Sequence, residues 1–188
     1  FRNRVVMPPM GSNYATYSGE VSEEMKDYYG LRARGGTALI TVENACIDFP
    51  LATNGTKQLR IDGKQFMPGL FELTERIHKY GALASIQLNH AGASAYPERL
   101  GGLQSVSSSS VPSKEGNPAP RPLTKQEILN IVQKYADAAE RAIGAGFDMV
   151  EIHGGHSYLL DQFLSPLYNK RTDEFGGSYE NRARFARL

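Results

Sequence analysis

Residues 148–179 read DMVEIHGGHSYLLDQFLSPLYNKRTDEFGGSY, and no other stretch of the chain is as dense in functional groups. It opens with a short apolar alternation that is typical of a buried strand. His153 and His156 follow directly, and Tyr158 comes two residues later. Two glycines separate the histidines, so we expect the backbone to turn sharply just after the strand. Three hydrogen-bonding side chains therefore stand close together at the carboxyl end of a strand, where α/β proteins place their chemistry.

Length and composition limit the class of protein. The chain has 188 residues, of which 40% are hydrophobic, enough for one sizeable domain with a core. The net charge of +1 gives no strong field, so we predict neither nucleic-acid binding nor membrane association. No apolar run of about 18 residues and no signal-peptide pattern is present. Cys46 is the single cysteine, which excludes an intrachain disulfide and favours a reducing, cytoplasmic location.

The rest of the sequence alternates strand and helix patterns. Apolar runs predict four strands, at residues 4–7, 37–43, 83–88 and 147–152. Apolar residues at helical spacing predict helices after Ser22, around residues 70–80, after Thr124 and from Glu180. Residues 89–122 are rich in Ser, Gly and Pro, so we predict a long loop without regular structure. Loops of that length are usually functional or disordered.

The order β-α-β-α-β-α-β-α predicts parallel strands joined by helical crossovers. Four such units are half of a barrel of about 250 residues or more. The alternative is a complete four-stranded open sheet. We predict an α/β protein, a (β/α)8 TIM barrel of which this chain supplies about the first four β-α units. The reasons are that both ends look cut from a longer chain and that functional groups follow several strands.

Three motifs resemble the Old Yellow Enzyme family of flavin-dependent ene reductases. They are FRNRVVMPPM at residues 1–10, SIQLNHAG at 85–92 and EIHGGHSYLLDQFLSPLYNKRTDEFGGSYENRARF at 151–185. Together they are highly specific, whereas any one alone is weak. Residues 7–15, MPPMGSNYA, are similar to the bacterial enoate and dienoyl reductase branch, whose members are often longer multidomain chains. The resemblance implies that residues 1–188 are the amino-terminal part of a single FMN-binding TIM-barrel domain.

The resemblance also implies a role for individual residues. The cofactor FMN would be bound by Pro8, Pro9, Met10, Gly11, Asn44 and Gln87. His153 and His156 would hold the carbonyl oxygen of the substrate, and Tyr158 would deliver a proton to its α-carbon. Two residues depart from the family pattern. Gly11 replaces a cysteine that tunes the flavin in some relatives, and Asn44 is larger than the usual Ala or Thr, so Ala45 is an alternative for that place.

The implied reaction explains these residue types. A hydride passes from NADH or NADPH, through FMN, to the C=C bond of a small enone or enoate. Negative charge then builds on the carbonyl oxygen, where two imidazole donors act as an oxyanion hole does. A phenol suits the final proton transfer because it stays protonated at neutral pH until the enolate takes the proton. Longer members of the branch add FAD and a 4Fe-4S cluster, which would lie in domains outside this chain.

Other interpretations of the same residues stay open at this point. His153 and His156 would be two ligands of a metal-dependent TIM-barrel hydrolase if a third ligand joined them. They would also serve as structural histidines, and Tyr158 as simple packing. A non-catalytic, truncated half-barrel is a further alternative. We expect the 188 residues alone to be inactive, because barrel enzymes build their phosphate site after strands 7 and 8, and we expect a homo-oligomer.

Overall fold

The computed structural model describes every residue from Phe1 to Leu188. The strands are β1 (Val6–Met7), β2 (Leu39–Cys46), β3 (Leu83–Asn89), β4 (Val106–Ser107), β5 (Arg121–Pro122) and β6 (Met149–Ile152). The helices are α1 (Glu23–Arg34), α2 (Met67–His78), α3 (Lys125–Gly144), α4 (Leu159–Leu164), α5 (Tyr179–Arg182) and α6 (Arg184–Arg187). None of these helices combines the length and the hydrophobicity that crossing a bilayer requires.

Four of the strands form one parallel sheet in the order β1-β2-β3-β6, and β4 and β5 pair separately. The predicted order and direction of the four main strands are therefore confirmed. The end of β2 differs from the prediction, and the difference affects a predicted flavin-binding residue. The register between β2 and β3 shifts between Val42 and Ala45, as a bulge does, and β2 continues to Cys46. Asn44 consequently lies inside β2, not after it as predicted.

The predicted helix starts are confirmed by their hydrogen bonds. The Ser22 hydroxyl accepts from the Met25 backbone N–H at 3.1 Å, which caps α1. Before α3, Glu127 accepts from the Thr124 backbone N–H at 2.8 Å, and Thr124 accepts from the Glu127 N–H at 3.3 Å. Arg121 pairs with the same carboxylate at 2.7 Å, and these bonds lower the pKa of Glu127 to about 2. The short polar signals in the sequence thus fix where α1 and α3 begin.

The chain divides into two compact units. One, the sheet unit, comprises Phe1–Ile47, Thr56–Asn89 and Tyr135–Ile152; the other, the loop unit, comprises Asp48–Gly55, His90–Lys134 and His153–Leu188. In the sheet unit, apolar side chains from strands and helices are fully buried, among them Met25, Tyr29, Ile40, Leu70, Leu73, Ile77 and Ile86. Burying each such aliphatic side chain contributes about 1.5–3 kcal/mol.

The outer strands of the sheet unit expose apolar side chains. Val6 on β1 is 51% exposed and Ile152 on β6 is 50% exposed. Ile143, near the end of α3, shares the helical spacing of the buried residues Ile128, Ala138 and Ala142 but is 69% exposed. Helical spacing shows which residues share a face, and it does not show whether a neighbour covers that face.

The loop unit contains more regular structure than its sequence predicts. Residues 89–122 include the β4–β5 pair and two 3₁₀ turns, Gly92–Ser94 and Pro97–Arg99. The helix α4 was not predicted. Aromatic side chains pack against α4. The centroid of the Phe163 ring on α4 lies 4.8 Å from that of Phe185 and 6.5 Å from that of Phe175, both in edge-to-face geometry. This packing holds the segment that carries the two histidines and the tyrosine.

Candidate functional site

The segment after β1 is an open surface in the sheet unit. It contains the predicted flavin-binding residues Pro8, Pro9, Met10 and Gly11. Met10 is 60% exposed although its side chain is apolar. A Cβ added at Gly11 would meet no heavy atom within 4 Å, so the space beside this backbone is free for another group. An exposed thioether, two prolines and an open backbone position suit one face of a flat aromatic ring such as that of FMN.

Glu43 holds this segment in place, and sequence reasoning missed it. Its carboxylate accepts from both the backbone N–H and the hydroxyl of Ser12, the former at 2.9 Å, and from the Tyr29 hydroxyl at 3.2 Å. The side chain is only 2% exposed. Burial raises the pKa of Glu43, and the hydrogen bonds from Ser12 and Tyr29 oppose that rise. The signal in the sequence was a single carboxylate inside the apolar run of β2.

Glu43 should make stability fall with rising pH. Because its pKa lies above the ordinary value of 4.5, the folded state binds this proton more tightly than the unfolded state. The free energy of unfolding should therefore decrease as pH rises from 4.5 through the raised pKa. Urea unfolding of Glu43→Gln at a series of pH values should show a flatter profile than the parent, while exposed Glu115→Gln should not. Identical slopes in parent and Glu43→Gln would contradict the assignment.

Gln87 and Asn44 are the other predicted flavin-binding residues. Gln87 on β3 is 7% exposed, and its amide nitrogen donates to the Glu151 carboxylate at 2.6 Å. That bond leaves the amide oxygen as an acceptor for a ring N–H, which fits the donor and acceptor pattern of an isoalloxazine edge. Asn44 uses its carbonyl and its side-chain oxygen to accept from Gln58, at 3.1 and 2.9 Å. Its side chain is thus fixed by the protein.

The loop unit brings the two histidines and the tyrosine together. His153 directly follows Ile152, the last residue of β6. The ring centroid of His153 lies 5.0 Å from that of His156 and 4.9 Å from that of Tyr158, both in edge-to-face geometry. His153 is 7% exposed, whereas His156 is exposed. The structure therefore confirms that these three side chains are neighbours, and their chemical roles stay predictions.

A chain of hydrogen bonds assigns the protons of the imidazole pair. The Gly155 backbone N–H donates to His153 Nδ1 at 3.4 Å, so the His153 proton is assigned to Nε2. His153 Nε2 lies 3.3 Å from His156 Nδ1 and donates to it. The remaining His156 Nε2–H is then a donor that can bind a ligand. Burial and the neighbouring His156 lower the pKa of His153, which favours a neutral His153 at pH 7.

Strained backbone positions these side chains. His156 and Ser157 have φ angles of 57° and 55°, in the left-handed region that L-residues rarely adopt. The prediction that the two glycines before His156 make the turn is wrong, since neither has a positive φ. Three hydrogen bonds hold the strained pair: Ser157 N–H donates to Asp161 at 2.8 Å, and Ser157 C=O accepts from Gln162 at 2.5 Å and Ser94 at 3.0 Å. Strain that neighbours hold in this way is typical of functional sites.

Tyr158 is fixed on more than one side. Its ring packs against a buried apolar cluster of Ala91, Ala95 and Leu100. Its hydroxyl oxygen accepts from the Asn54 amide nitrogen at 2.5 Å. The phenol is therefore half-buried, with its polar end at a defined position. The Asn54 contact was not predicted, because the two residues lie 104 positions apart in the sequence.

The carboxylates closest in sequence to the histidines are already engaged. Glu151 binds Gln87, and Asp161 binds the Ser157 backbone N–H. No group of three or more His, Cys, Asp or Glu side chains with the geometry of a metal site occurs in the structure. The geometry therefore gives the metal-dependent alternative no third ligand. It does leave the imidazole pair one outward hydrogen-bond donor, His156 Nε2–H, which suits a developing oxyanion.

The chain resembles known proteins over nearly all of its length. The sequence profile of the NADH:flavin oxidoreductase / NADH oxidase family matches residues 1–188. The NADH oxidase of Thermoanaerobacter brockii is 50% identical over 184 residues, which is 98% of this chain and 28% of that protein. Morphinone reductase superposes with a TM-score of 0.90 at 34% identity, covering 98% of this chain and 52% of that one. The Old Yellow Enzyme from Pichia sp. AKU4542 superposes with a TM-score of 0.92 at 34% identity, covering 98% and 50%.

The chain thus spans about half the length of these two solved structures and 28% of the length of the oxidase. The likeness confirms the predicted fold class, a TIM barrel of which this chain supplies about the first four β-α units. The match of the profile along the whole chain also confirms the resemblance found in the three motifs. The chain belongs to the NADH:flavin oxidoreductase / NADH oxidase family.

Proposed function

We propose that this chain forms part of an FMN-dependent ene reductase that uses NADH or NADPH to reduce the C=C bond of an α,β-unsaturated carbonyl compound. The observation that carries the proposal is the contact of His153, His156 and Tyr158 at the end of β6. Two imidazole donors and one phenol are the groups that an enolate needs, one pair for its oxygen and one acid for its carbon. Residues 1–188 are proposed as the amino-terminal part of a single FMN-binding domain.

The sheet unit would hold the cofactor. Pro8, Pro9, Met10 and Gly11 would contact the ring of FMN, with the segment held by Glu43. The Gln87 amide, oriented by Glu151, would hydrogen-bond the ring edge. Asn44 would contribute less than the other predicted residues, because Gln58 occupies its oxygen atoms. When bound, FMN supplies the hydride.

The loop unit would hold the substrate. His156 Nε2–H would donate to the carbonyl oxygen, and His153 Nε2–H would turn from His156 toward the same oxygen as charge develops there. Neutral imidazoles suit this task because they donate without first losing or gaining a proton. Tyr158 would then give its O–H proton to the α-carbon, and its oxygen would keep the electron pair of that bond.

Tyr158→Phe tests this function in the intact, FMN-loaded enzyme. The substitution removes only the phenolic hydroxyl, so oxidation of the reduced flavin by an enone should slow by about 10²–10⁴-fold, the usual contribution of a general acid. Reduction of the flavin by the nicotinamide should change by less than about twofold, because no proton from Tyr158 is needed there. Stopped-flow absorbance of the flavin separates the two half-reactions.

The matched control is Tyr179→Phe, since Tyr179 is 66% exposed and far from these contacts in sequence. It should leave both half-reactions unchanged. Equal slowing of both half-reactions in Tyr158→Phe would count against the proton-donor role. An enzyme that oxidises NADH or NADPH but reduces no enone at any rate would refute the ene-reductase proposal itself.

Other aspects of the whole enzyme remain predictions. The identity to an NADH oxidase of which this chain spans 28% is consistent with additional domains that bind FAD and a 4Fe-4S cluster. A homo-oligomer is predicted because symmetric homo-oligomers are common, and a cytoplasmic location because Cys46 is the single cysteine. Flavin and iron analysis of the purified enzyme, with its mass by light scattering, would test these points together.

A further inference from the structure

We infer that Asn54 is a positioning residue for proton transfer: its amide donates to the Tyr158 oxygen, directs the phenolic proton outward and stabilises the oxygen as that proton leaves. The inference rests on the proposed function, because it assigns Tyr158 as the acid. It goes further, since nothing in the sequence motifs pointed to Asn54.

The hydrogen bond between Asn54 and Tyr158 has a defined direction. Asn54 Nδ2 lies 2.5 Å from Tyr158 Oη. An amide NH₂ group can only donate, so the phenol oxygen must accept. The O–H proton of Tyr158 therefore does not take part in this contact and is available to a substrate. Had the amide oxygen faced Tyr158 instead, the proton would be held by Asn54 and withheld from the substrate.

Asn54 and Tyr158 are both held in place by the surrounding structure. The loop that carries Asn54 is fixed by hydrogen bonds from the segment after β3. Ala91 N–H donates to Ala52 C=O at 3.1 Å, and Tyr96 N–H donates to Thr53 C=O at 2.9 Å. Thr53 itself is only 2% exposed. A donor on so firmly anchored a backbone loses little entropy when it forms the bond.

The Tyr158 ring is equally constrained. It packs on the apolar cluster of Ala91, Ala95 and Leu100 and lies edge-to-face against His153. Ala91 thus belongs both to the cluster under the ring and to the backbone bonds that support the loop of Asn54. The relative position of the amide and the phenol is set by the fold of the loop unit.

The hydrogen bond from Asn54 becomes stronger when negative charge develops on Tyr158 Oη. When the α-carbon of the enolate forms its C–H bond, the O–H bond of Tyr158 breaks and its electron pair stays on Oη. A hydrogen bond to a charged oxygen is about twice as strong as one to a neutral oxygen. The Asn54 N–H therefore stabilises the product of the proton transfer more than the starting phenol. Solvent returns the proton afterwards.

Two substitutions at Asn54 separate this role from simple packing. Asn54→Ala removes the donor and should slow the oxidative half-reaction about tenfold, as loss of one hydrogen bond does. Asn54→Asp keeps the shape but replaces the donor with an acceptor that bears a negative charge. It should slow the same step more than Asn54→Ala, since it holds the phenolic proton and repels the developing charge. Asn130→Asp, exposed on α3, is the matched control and should have no effect.

A double-mutant cycle in the intact enzyme tests whether Asn54 acts through Tyr158. In a Tyr158→Phe background, neither Asn54 variant should slow the oxidative half-reaction further, because the oxygen that it serves is gone. A second measurement does not depend on turnover. In protein labelled with ¹³C at the tyrosine ζ carbon, the Tyr158 signal, assigned by its loss in Tyr158→Phe, should shift in Asn54→Ala and not in Asn130→Asp.

The outcomes distinguish this inference from the proposed function. If Tyr158→Phe slows enone reduction but Asn54→Ala does not, or if Asn54→Ala slows it equally in both backgrounds, the inference is wrong and the function stands. Faster reduction by Asn54→Ala would overturn it as well, because the amide would then be withholding the proton. If Tyr158→Phe has no effect, the assignment of Tyr158 fails, and the role of Asn54 fails with it.

Discussion

Replacing both His153 and His156 with alanine is expected to slow the proposed reduction of enones by the intact enzyme by about 10³-fold or more. Removal of one oxyanion donor typically costs about 10²–10³ in rate. The two imidazoles share a hydrogen bond, so the effect of the pair should be smaller than the product of the two single effects. The rate of oxidation of the reduced flavin is measured by stopped flow for His153→Ala, His156→Ala and the double variant. Flavin reduction by the nicotinamide serves as the internal reference.

The same variants should weaken binding of phenolic ligands, which resemble the enolate in placing an oxygen anion on a flat ring. Titration of the flavin absorbance with a phenol gives the dissociation constants without turnover. His78→Ala is the control, because His78 lies on α2 and pairs with Asp148 at 2.8 Å. Phenol binding that is equally tight in the double variant and in the parent would exclude the histidines from the site.

The sequence predicts the fold well where the signals are local. The caps at Ser22 and at Thr124–Glu127 involve residues three positions apart, and the apolar runs of the parallel strands are continuous. The grouping of His153, His156 and Tyr158 follows from their closeness in the chain. The family motifs then add roles that no physical argument from one sequence could supply.

The supporting residues could not be predicted, because their partners are distant in sequence. Glu43 binds Ser12 across 31 positions, Gln162 binds Ser107 across 55 and Asn54 binds Tyr158 across 104. A polar residue in an apolar run shows that it needs a partner, but not which one. The same limit explains the turn at residues 156–157. Glycine is the usual residue at positive φ, and here a histidine and a serine adopt that conformation, held by bonds to nearby Asp161 and Gln162 and to distant Ser94.

Gln162→Leu is expected to destabilise the loop unit strongly. The Gln162 side chain on α4 is fully buried and makes hydrogen bonds in both directions. Its oxygen accepts from the Ala93 backbone N–H at 3.0 Å and from the Ser107 hydroxyl at 2.8 Å. Its nitrogen donates to the backbone carbonyls of Ala91 at 3.3 Å and Ser157 at 2.5 Å. Leucine is of similar size and can satisfy none of these four groups.

The Ala91 and Ser157 carbonyls keep hydrogen bonds from Ser94, whereas the Ala93 N–H and the Ser107 hydroxyl lose their partner. Each buried polar group left in that way costs about 1–3 kcal/mol, so the free energy of unfolding should fall by roughly 2–6 kcal/mol. The turn at Ser157 would lose one of its three hydrogen bonds and keep those to Asp161 and Ser94, so it should loosen and hold His156 less firmly. Thermal unfolding of the flavin-loaded enzyme gives the stability, and phenol titration gives the effect on the site. Gln126→Leu, exposed on α3, should stay within about 0.5 kcal/mol of the parent. A Gln162→Leu protein as stable as this control would show that Gln162 does not connect the segment after β3 to the turn that carries the histidines.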